Sequence, residues 1–395
     1  MKKEIFIFVY WLLLFQYALV YIGGDFFDIF DKLFVVFCGF SLLNYSNRVN
    51  VKYLLLYLSL LAIGLYGNLK YNYVKFNAIF NDFFLFLKFP LCLFAGYIYG
   101  NSKTNLYFEL KYIKRYSPKI ATMFFLLCVI CQFVDLFPRY EDNLGPIKCL
   151  ELFFGHCTFM AATLIFYVSL YLTIIKKNTM NSLVFFMFVF SIITTTRMKA
   201  IAVLLLILYL YYRYSYSRVV KFKKGEFFVF AVFLLLFAID KIIFYFVDYS
   251  DYARGLLFFN AVDIAKTHFP LGAGIGSFAS SSSVRYLSPL YAQYGMYHHF
   301  FAADSFLATI LSQFGFLGLF IFLLLIIILV VRLFTMTMYP RIFMSCLVLV
   351  SYLLICSIAE VSFIAVYSVP MAFWIGVLLG YVKNEKKVQG KLNSL

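Results

Sequence analysis

Charge is what this chain has least of. Asp, Glu, Lys and Arg together make up 13% of its 395 residues, about half the share usual in a soluble domain. That is too little to clothe a globular surface in water-facing groups, so a soluble enzyme of this length is excluded. The chain also has no short segments of alternating apolar and polar residues, which excludes a membrane β-barrel. A soluble second domain, a low-complexity linker and an internal inverted repeat are all missing from the sequence. Cysteine numbers only eight, mostly inside apolar blocks. Cys128 and Cys131 form a CxxC, but its position in a spanning block argues against a metal or redox role.

What the chain has in abundance is apolar sequence: 64% hydrophobic residues and 22% aromatic ones. They come in long blocks without helical or strand periodicity. In lipid every backbone N–H and C=O must find a partner within the protein, so blocks of about 20 apolar residues read as spanning helices. Blocks near 5–22, 29–45, 53–67, 79–99, 120–137, 152–175, 180–195, 199–213, 227–246, 304–331, 342–362 and 364–382 predict about twelve. The fold class expected is an all-α polytopic membrane protein, one integral domain over 1–395. The first block leads into an acidic loop without a clear cleavage site, which favours a retained helix over a cleaved signal peptide.

A net charge of +16 would point to nucleic acid in a soluble protein; here the positive-inside rule accounts for it and no nucleic-acid partner is expected. With Met1 in the cytoplasm, 22 basic residues fall in inner loops and nine in outer ones, with Lys32, Lys88 and Lys241 in or at the ends of spans. The outer nine are Lys70, Lys75, Arg139, Lys148, Arg197, Lys199, Arg254, Lys266 and Arg285. Asp25, Asp28, Glu141, Asp142, Asp248, Asp251 and Asp263 also fall outside. Both termini are therefore expected in the cytoplasm. One outer loop, 247–303, is far longer than the rest, and a long ordered loop is usually functional.

An outward arginine runs against the orientation preference, so something should retain it. Arg197 follows Thr194-Thr195-Thr196, Arg254 opens the long loop, and Arg139 precedes Gly145-Pro146. Arg197 and Arg254 each read either as a residue snorkelling to the headgroups or as a forked clamp for phosphate oxygens. His156, placed in the sixth helix, reads as a functional imidazole or as a satisfied structural one. In the long loop, Gly272, Gly274 and Gly276 follow His268-Phe269-Pro270. Their spacing suits either a tight closing turn or a backbone anion cradle, but no strand precedes them and they face away from cytoplasmic nucleotides. His298 and His299 lack a third and fourth metal ligand nearby, so no metal is assigned. Asp304 reads as a proton acceptor at the apolar edge or as the N-cap of the tenth helix. Gly315 and Gly318 read as sites of close helix packing.

In this order the features resemble the bacterial lipid-linked polysaccharide polymerase and O-antigen ligase superfamily. The matching stretch runs from Thr194 to Gly318: Thr196-Arg197 at a helix start, Arg254 opening the outer loop, the run Phe269 to Gly276, then Asp304-Ser305 nine residues ahead of Gly315-Phe316-Leu317-Gly318. Arg139, Gly145 and His156 resemble a weaker upstream element. Ligases of the superfamily carry histidine where this chain has Asp304, which favours polymerase, although His298 and His299 lie close by. A repeated Arg-to-Gly spacing of ten intervening residues, found in some polymerases, is absent.

The resemblance implies a GT-C-like membrane glycosyltransferase, metal-independent and without cofactor, in a bacterial cytoplasmic membrane. It would polymerise undecaprenyl-pyrophosphate-linked oligosaccharide repeats into O-antigen or capsule at the outer face. Arg197, Arg254 and Arg139 would hold the pyrophosphate, and Asp304, His298 or His299 would take the acceptor's proton. Membrane lipid, a chain-length regulator and a flippase are the partners implied. Of the other readings, an O-antigen ligase differs at Asp304, and a flippase or transporter would gather polar groups at mid-membrane, where Lys88 beside Pro90 is the main candidate.

Overall fold

The computed structural model describes residues 3–24, 28–44, 51–102, 106–138, 144–175, 179–217, 253–296, 305–358 and 360–392. Long apolar blocks become helices, as a lipid environment demands. They are α1 (Lys3–Gly23), α2 (Phe30–Asn44), α3 (Val51–Tyr71), α4 (Phe76–Asn101), α5 (Tyr107–Phe133), α6 (Cys157–Leu172), α7 (Thr179–Ile193) and α8 (Met198–Ser217). Further on come α9 (Ala253–Thr267), the single turns α10 (Ser281–Arg285) and α11 (Pro289–Gln293), then α12 (Phe306–Phe334), α13 (Pro340–Ser357) and α14 (Ser368–Leu392). Among the described residues there is no strand, only an isolated bridge between Leu144 and Ile147. Among the described residues seven helices are long and apolar enough to cross a membrane: α1, α3, α4, α5, α8, α12 and α13, with α6 and α7 shorter apolar helices. The helix expected over 227–246 lies outside the described residues.

The most extensive helix contact joins α4 to α14, and its cause is legible in both sequences. Gly96 and Gly100 on α4 face Phe373 and Val377, while Gly376 and Gly380 on α14 face Leu93 and Tyr97. A Cβ at any of the four would overlap the carbonyl oxygen opposite. Two glycine pairs at four-residue spacing thus let the backbones touch, the packing mode that replaces hydrophobic driving force in lipid. Against α13 packs α6, buried on nearly every face. Its apolar surface is uniform, as befits a central helix. Ser169 on α6 meets the Ser345 hydroxyl of α13 at 2.9 Å, and Trp374 of α14 donates to the same hydroxyl at 3.2 Å. α1 joins this core through Tyr167, whose hydroxyl donates to the Tyr10 carbonyl at 2.6 Å, and through Tyr10 and Ser117, 3.2 Å apart.

Two expectations shift. The sixth helix begins at Cys157 rather than 152, because Gly155 turns the chain at φ 67 and His156 caps α6, its Nδ1 accepting from the Thr158 N–H at 3.1 Å. His156 is therefore a capping residue at a helix end, not an imidazole within a span. The second shift is in α12, where Gly315 adopts φ 66, ψ −166 and breaks the helix. It does not simply admit a neighbouring helix. Ser305, not Asp304, is the N-cap of α12, accepting from the Ala308 N–H at 3.3 Å.

A break inside a spanning helix frees backbone groups that water cannot reach, so they must be paired elsewhere. The glycine run of the long loop does this. Ala273 and Gly274 donate their N–H groups to the Ser312 and Gln313 carbonyls at 2.8 and 3.0 Å, and the Leu317 N–H donates to the Pro270 carbonyl at 3.1 Å. The loop approaches so closely that a Cβ on Gly272 would strike the Gly315 nitrogen and one on Gly274 would strike Asn68. Asn68 of α3 completes the joint, accepting from the Ile275 N–H and donating to its carbonyl, both at 2.9 Å. Around it α9, Phe278, Tyr291 and Met296 form a second small core against Ala308 and Leu311 of α12. Much of the segment expected as a loop is thus a helical unit seated on α12.

Candidate functional site

The candidate site is assembled around the first residues of α8 and the chain entering α14. Three threonines end α7: Thr194 and Thr195 turn their hydroxyls back on the Ser191 and Ile192 carbonyls at 2.8 and 2.7 Å. Thr196 then takes φ 51, a left-handed conformation rare for a β-branched residue. The tight turn sets Arg197 at the head of α8, its carbonyl accepting from the Ile201 N–H at 3.0 Å. The preceding loop fastens to the same turn, with Leu150 N–H donating to the Thr194 carbonyl at 2.9 Å and the Cys149 thiol to the Thr195 carbonyl at 3.2 Å. Arg197 reaches across to α6, its Nε donating to Cys157 Sγ at 2.8 Å.

One residue beyond Met198, Lys199 forms an ion pair with Glu360. This carboxylate is a hub. Thr158 of α6 donates to its Oε1 and Tyr367 to its Oε2, both at 3.3 Å. The Glu360 carbonyl accepts from the Phe306 N–H at 3.2 Å, and the Ser305 hydroxyl donates to the Ile358 carbonyl at 3.1 Å. The start of α12 and the entry to α14 are therefore joined at Glu360. Lys199 and Glu360 remain a quarter and a fifth exposed. Close by, burial pushes the Glu151 carboxyl above the usual range, and the Arg197 guanidinium offsets part of that rise.

Next to Phe306, which bonds the Glu360 carbonyl, an apolar groove runs along the bundle. Its upper part is lined by Leu60, Phe86, Phe306, Ile310 and Phe363, its lower part by Tyr53, Leu93, Phe94, Leu325 and Arg332. Tyr57, Phe89, Pro90, Phe322 and Phe363 border both parts. The lower part holds an accessible cavity of about 120 Å³. The groove runs between α3, α4, α12 and the segment leading to α14, and Arg332 stands over the Tyr53 ring, 4.3 Å from its centroid, at the far end.

The glycines of the long loop occupy a different position. Gly276 donates its N–H to Gln313 Oε1 at 3.1 Å, and the Gln313 amide donates to Asp82 Oδ2 and the Phe278 carbonyl at 3.1 and 2.9 Å. Gly272 donates to the His268 carbonyl at 3.1 Å. With the N–H groups of residues 271–277 engaged inside the protein, the run works as a clamp on α12. His268 is likewise fixed, with Nε2 2.9 Å from the Tyr73 hydroxyl and Nδ1 2.8 Å from the Ile264 carbonyl. Arg254 falls in the first turn of α9. Arg139, His298, His299 and Asp304 lie outside the described residues; Asp304 immediately precedes the Ser305–Phe306 junction in the chain.

Lys199 and Glu360 were not singled out by sequence reasoning, although a signal was present. Glu360 is the sole charged residue between Arg341 and Lys383, and a lone carboxylate in such a stretch is expensive unless it serves something. Lys88 turns out to be paired rather than facing a broken helix. It meets Asp31 of α2 at 2.5 Å, and Gln16 of α1 donates to the other Asp31 oxygen at 3.2 Å, while α4 continues through Pro90. The described residues contain no cluster of His, Cys, Asp or Glu able to hold a metal. No protein-family model matches the chain, and no curated protein matches it.

Proposed function

We propose that this protein is a membrane glycosyltransferase that polymerises glycan repeat units carried on undecaprenyl pyrophosphate, working at the outer face of a bacterial cytoplasmic membrane. The observation that carries the reading is the apolar groove whose upper wall, at Phe306, is one hydrogen bond from Glu360, the partner of Lys199. A polyprenyl-linked donor needs a lipid-sized apolar channel, with cations at its headgroup end to stabilise the departing pyrophosphate. Arg197 fills the role given to it by the resemblance, and Lys199 adds a second cation two residues on. Arg254 and Arg139 would add to this charge, and Asp304, His298 or His299 would accept the proton of the attacking hydroxyl. In that step the bond from the donor sugar's anomeric carbon to phosphate oxygen breaks, its electron pair leaving with the pyrophosphate. The acceptor oxygen bonds to the carbon in its place.

The test is the size profile of surface glycan and of lipid-linked intermediates after deletion of the gene, with Arg254→Ala as the point variant. Surface glycan stopping at one repeat unit is expected. Long chains stranded on the carrier would instead mean a ligase. One observation favours transport as a second reading: the buried Lys88–Asp31 pair lies inside the bundle, where ion-coupled carriers keep such groups. Under that reading deletion leaves unpolymerised units trapped on the inner side.

A further inference from the structure

We infer that the Lys199–Glu360 ion pair is a latch opened by a phosphate-headed lipid, whose phosphate oxygens replace the Glu360 carboxylate on the Lys199 ammonium. The inference rests on the proposed function only for the lipid's identity. Three features of the site support it. First, the pair is partly open, at 25% and 20% side-chain exposure, so a headgroup can reach it. The groove's upper end is formed by Phe306 and Phe363, and the Phe306 N–H bonds the Glu360 carbonyl. Second, Glu360 is not stranded when Lys199 leaves. Thr158 and Tyr367 still donate to its two oxygens, so the cost of an unpaired buried carboxylate does not arise. Third, the guanidinium two residues before Lys199 gives its Nε hydrogen to a weak acceptor, the Cys157 sulfur. A phosphate group presents more charge and more acceptor oxygens than that sulfur, and guanidinium and ammonium together match it.

The exchange makes Glu360 a competitor for Lys199 in the empty protein. Its removal should therefore strengthen binding, the reverse of what loss of a ligand-binding or merely structural residue does. The measurement is the affinity of the purified full-length protein, in phosphatidylcholine nanodiscs, for added undecaprenyl pyrophosphate and for added dioleoyl phosphatidate. Glu360→Gln should bind both about three- to fivefold more tightly, the scale of a partly exposed ion pair. Lys199→Gln should bind them more weakly by a similar factor. The double variant should match Lys199→Gln alone, because the competitor is irrelevant once its cation is gone. Glu360→Asp, which keeps the charge but draws it back by one methylene, should fall between wild type and Glu360→Gln. That gentler variant reads the latch if the glutamine variant does not fold. Unchanged or weaker binding by folded Glu360→Gln or Glu360→Asp overturns the latch. A wild-type protein that does not prefer the polyprenyl lipid over phosphatidate counts against the donor assignment. The latch would still be read from the variant-to-wild-type ratio.

Discussion

The bundle holds two lysine–carboxylate pairs whose surroundings differ sharply. Lys88 and Asp31 are 3% and 0% exposed, with Gln16 on the second carboxylate oxygen, whereas Lys199 and Glu360 stand a quarter and a fifth open. Both are contacts between different helices or their connections, so both help to hold elements together. Burial decides what else they can do. A pair sealed from water cannot lose one partner without stranding the other charge, while a partly wet pair can trade partners at modest cost. Sealing suits the first pair to assembly, and partial exposure leaves the second able to exchange partners.

Breaking the sealed pair should have the largest effect. Lys88→Ala leaves Asp31 buried without its cation, a loss of about 3–5 kcal/mol by the usual scale for such pairs. Fluorescence-detected size exclusion in detergent should show little folded protein. Lys88→Met combined with Asp31→Leu should recover most of it, because an apolar pair of similar volume removes both charges. If the pair instead carries ions for transport, the double variant will fold yet lose transport of glycan units while the polymerisation step persists.

The open pair should show the opposite balance. Glu360→Lys places two cations side by side near solvent, lowering stability by only about 1 kcal/mol. It also removes the carboxylate shared by Lys199, Thr158 and Tyr367, so surface polymer should fall to single repeat units on an intact, extractable protein. Thr158→Val removes one hydrogen bond from Glu360, about 0.5–1.5 kcal/mol. Its expected outcome is a melting point a few degrees lower, with polymer length almost unchanged.

The smallest effect concerns Glu151, whose carboxyl burial holds above its ordinary range. The folded chain therefore binds its proton more tightly than the unfolded one. Full protonation at low pH favours the fold, and that advantage is lost as pH rises through the unfolded and then the folded value. Glu151→Gln should flatten this dependence and slightly raise the melting temperature near neutrality. A steeper acid-to-neutral decline in the variant would assign the wrong sign to that site.

Much of the helical architecture was legible because lipid leaves few alternatives for long apolar blocks. The glycine pairs at 96, 100, 376 and 380 could also have been read as a helix contact. The break at Gly315 could not, since its repair depends on residues 270–274, about forty positions away, and on Asn68 in a different helix. Arg197 was legible as an outward cation at a helix start. Lys199 was counted among the outward bases without a role, because its partner lies 161 positions further on. Asp31 gave no warning: at the end of a predicted helix a carboxylate looks like an ordinary terminal residue, and only the packing of α2 on α4 reveals its burial. The long segment before α12 reads as a loop because its helices are short and its contacts are remote in sequence.

The α4–α14 seam has a mechanical consequence. Where two backbones are interlocked through four glycines, sliding by a single residue would drive side chains into carbonyls, so the pair behaves as one rigid post. Relative movement of the groove's walls therefore falls to its other side. There α3 and the divided α12 meet through a joint of hydrogen bonds, which can re-form at a new angle.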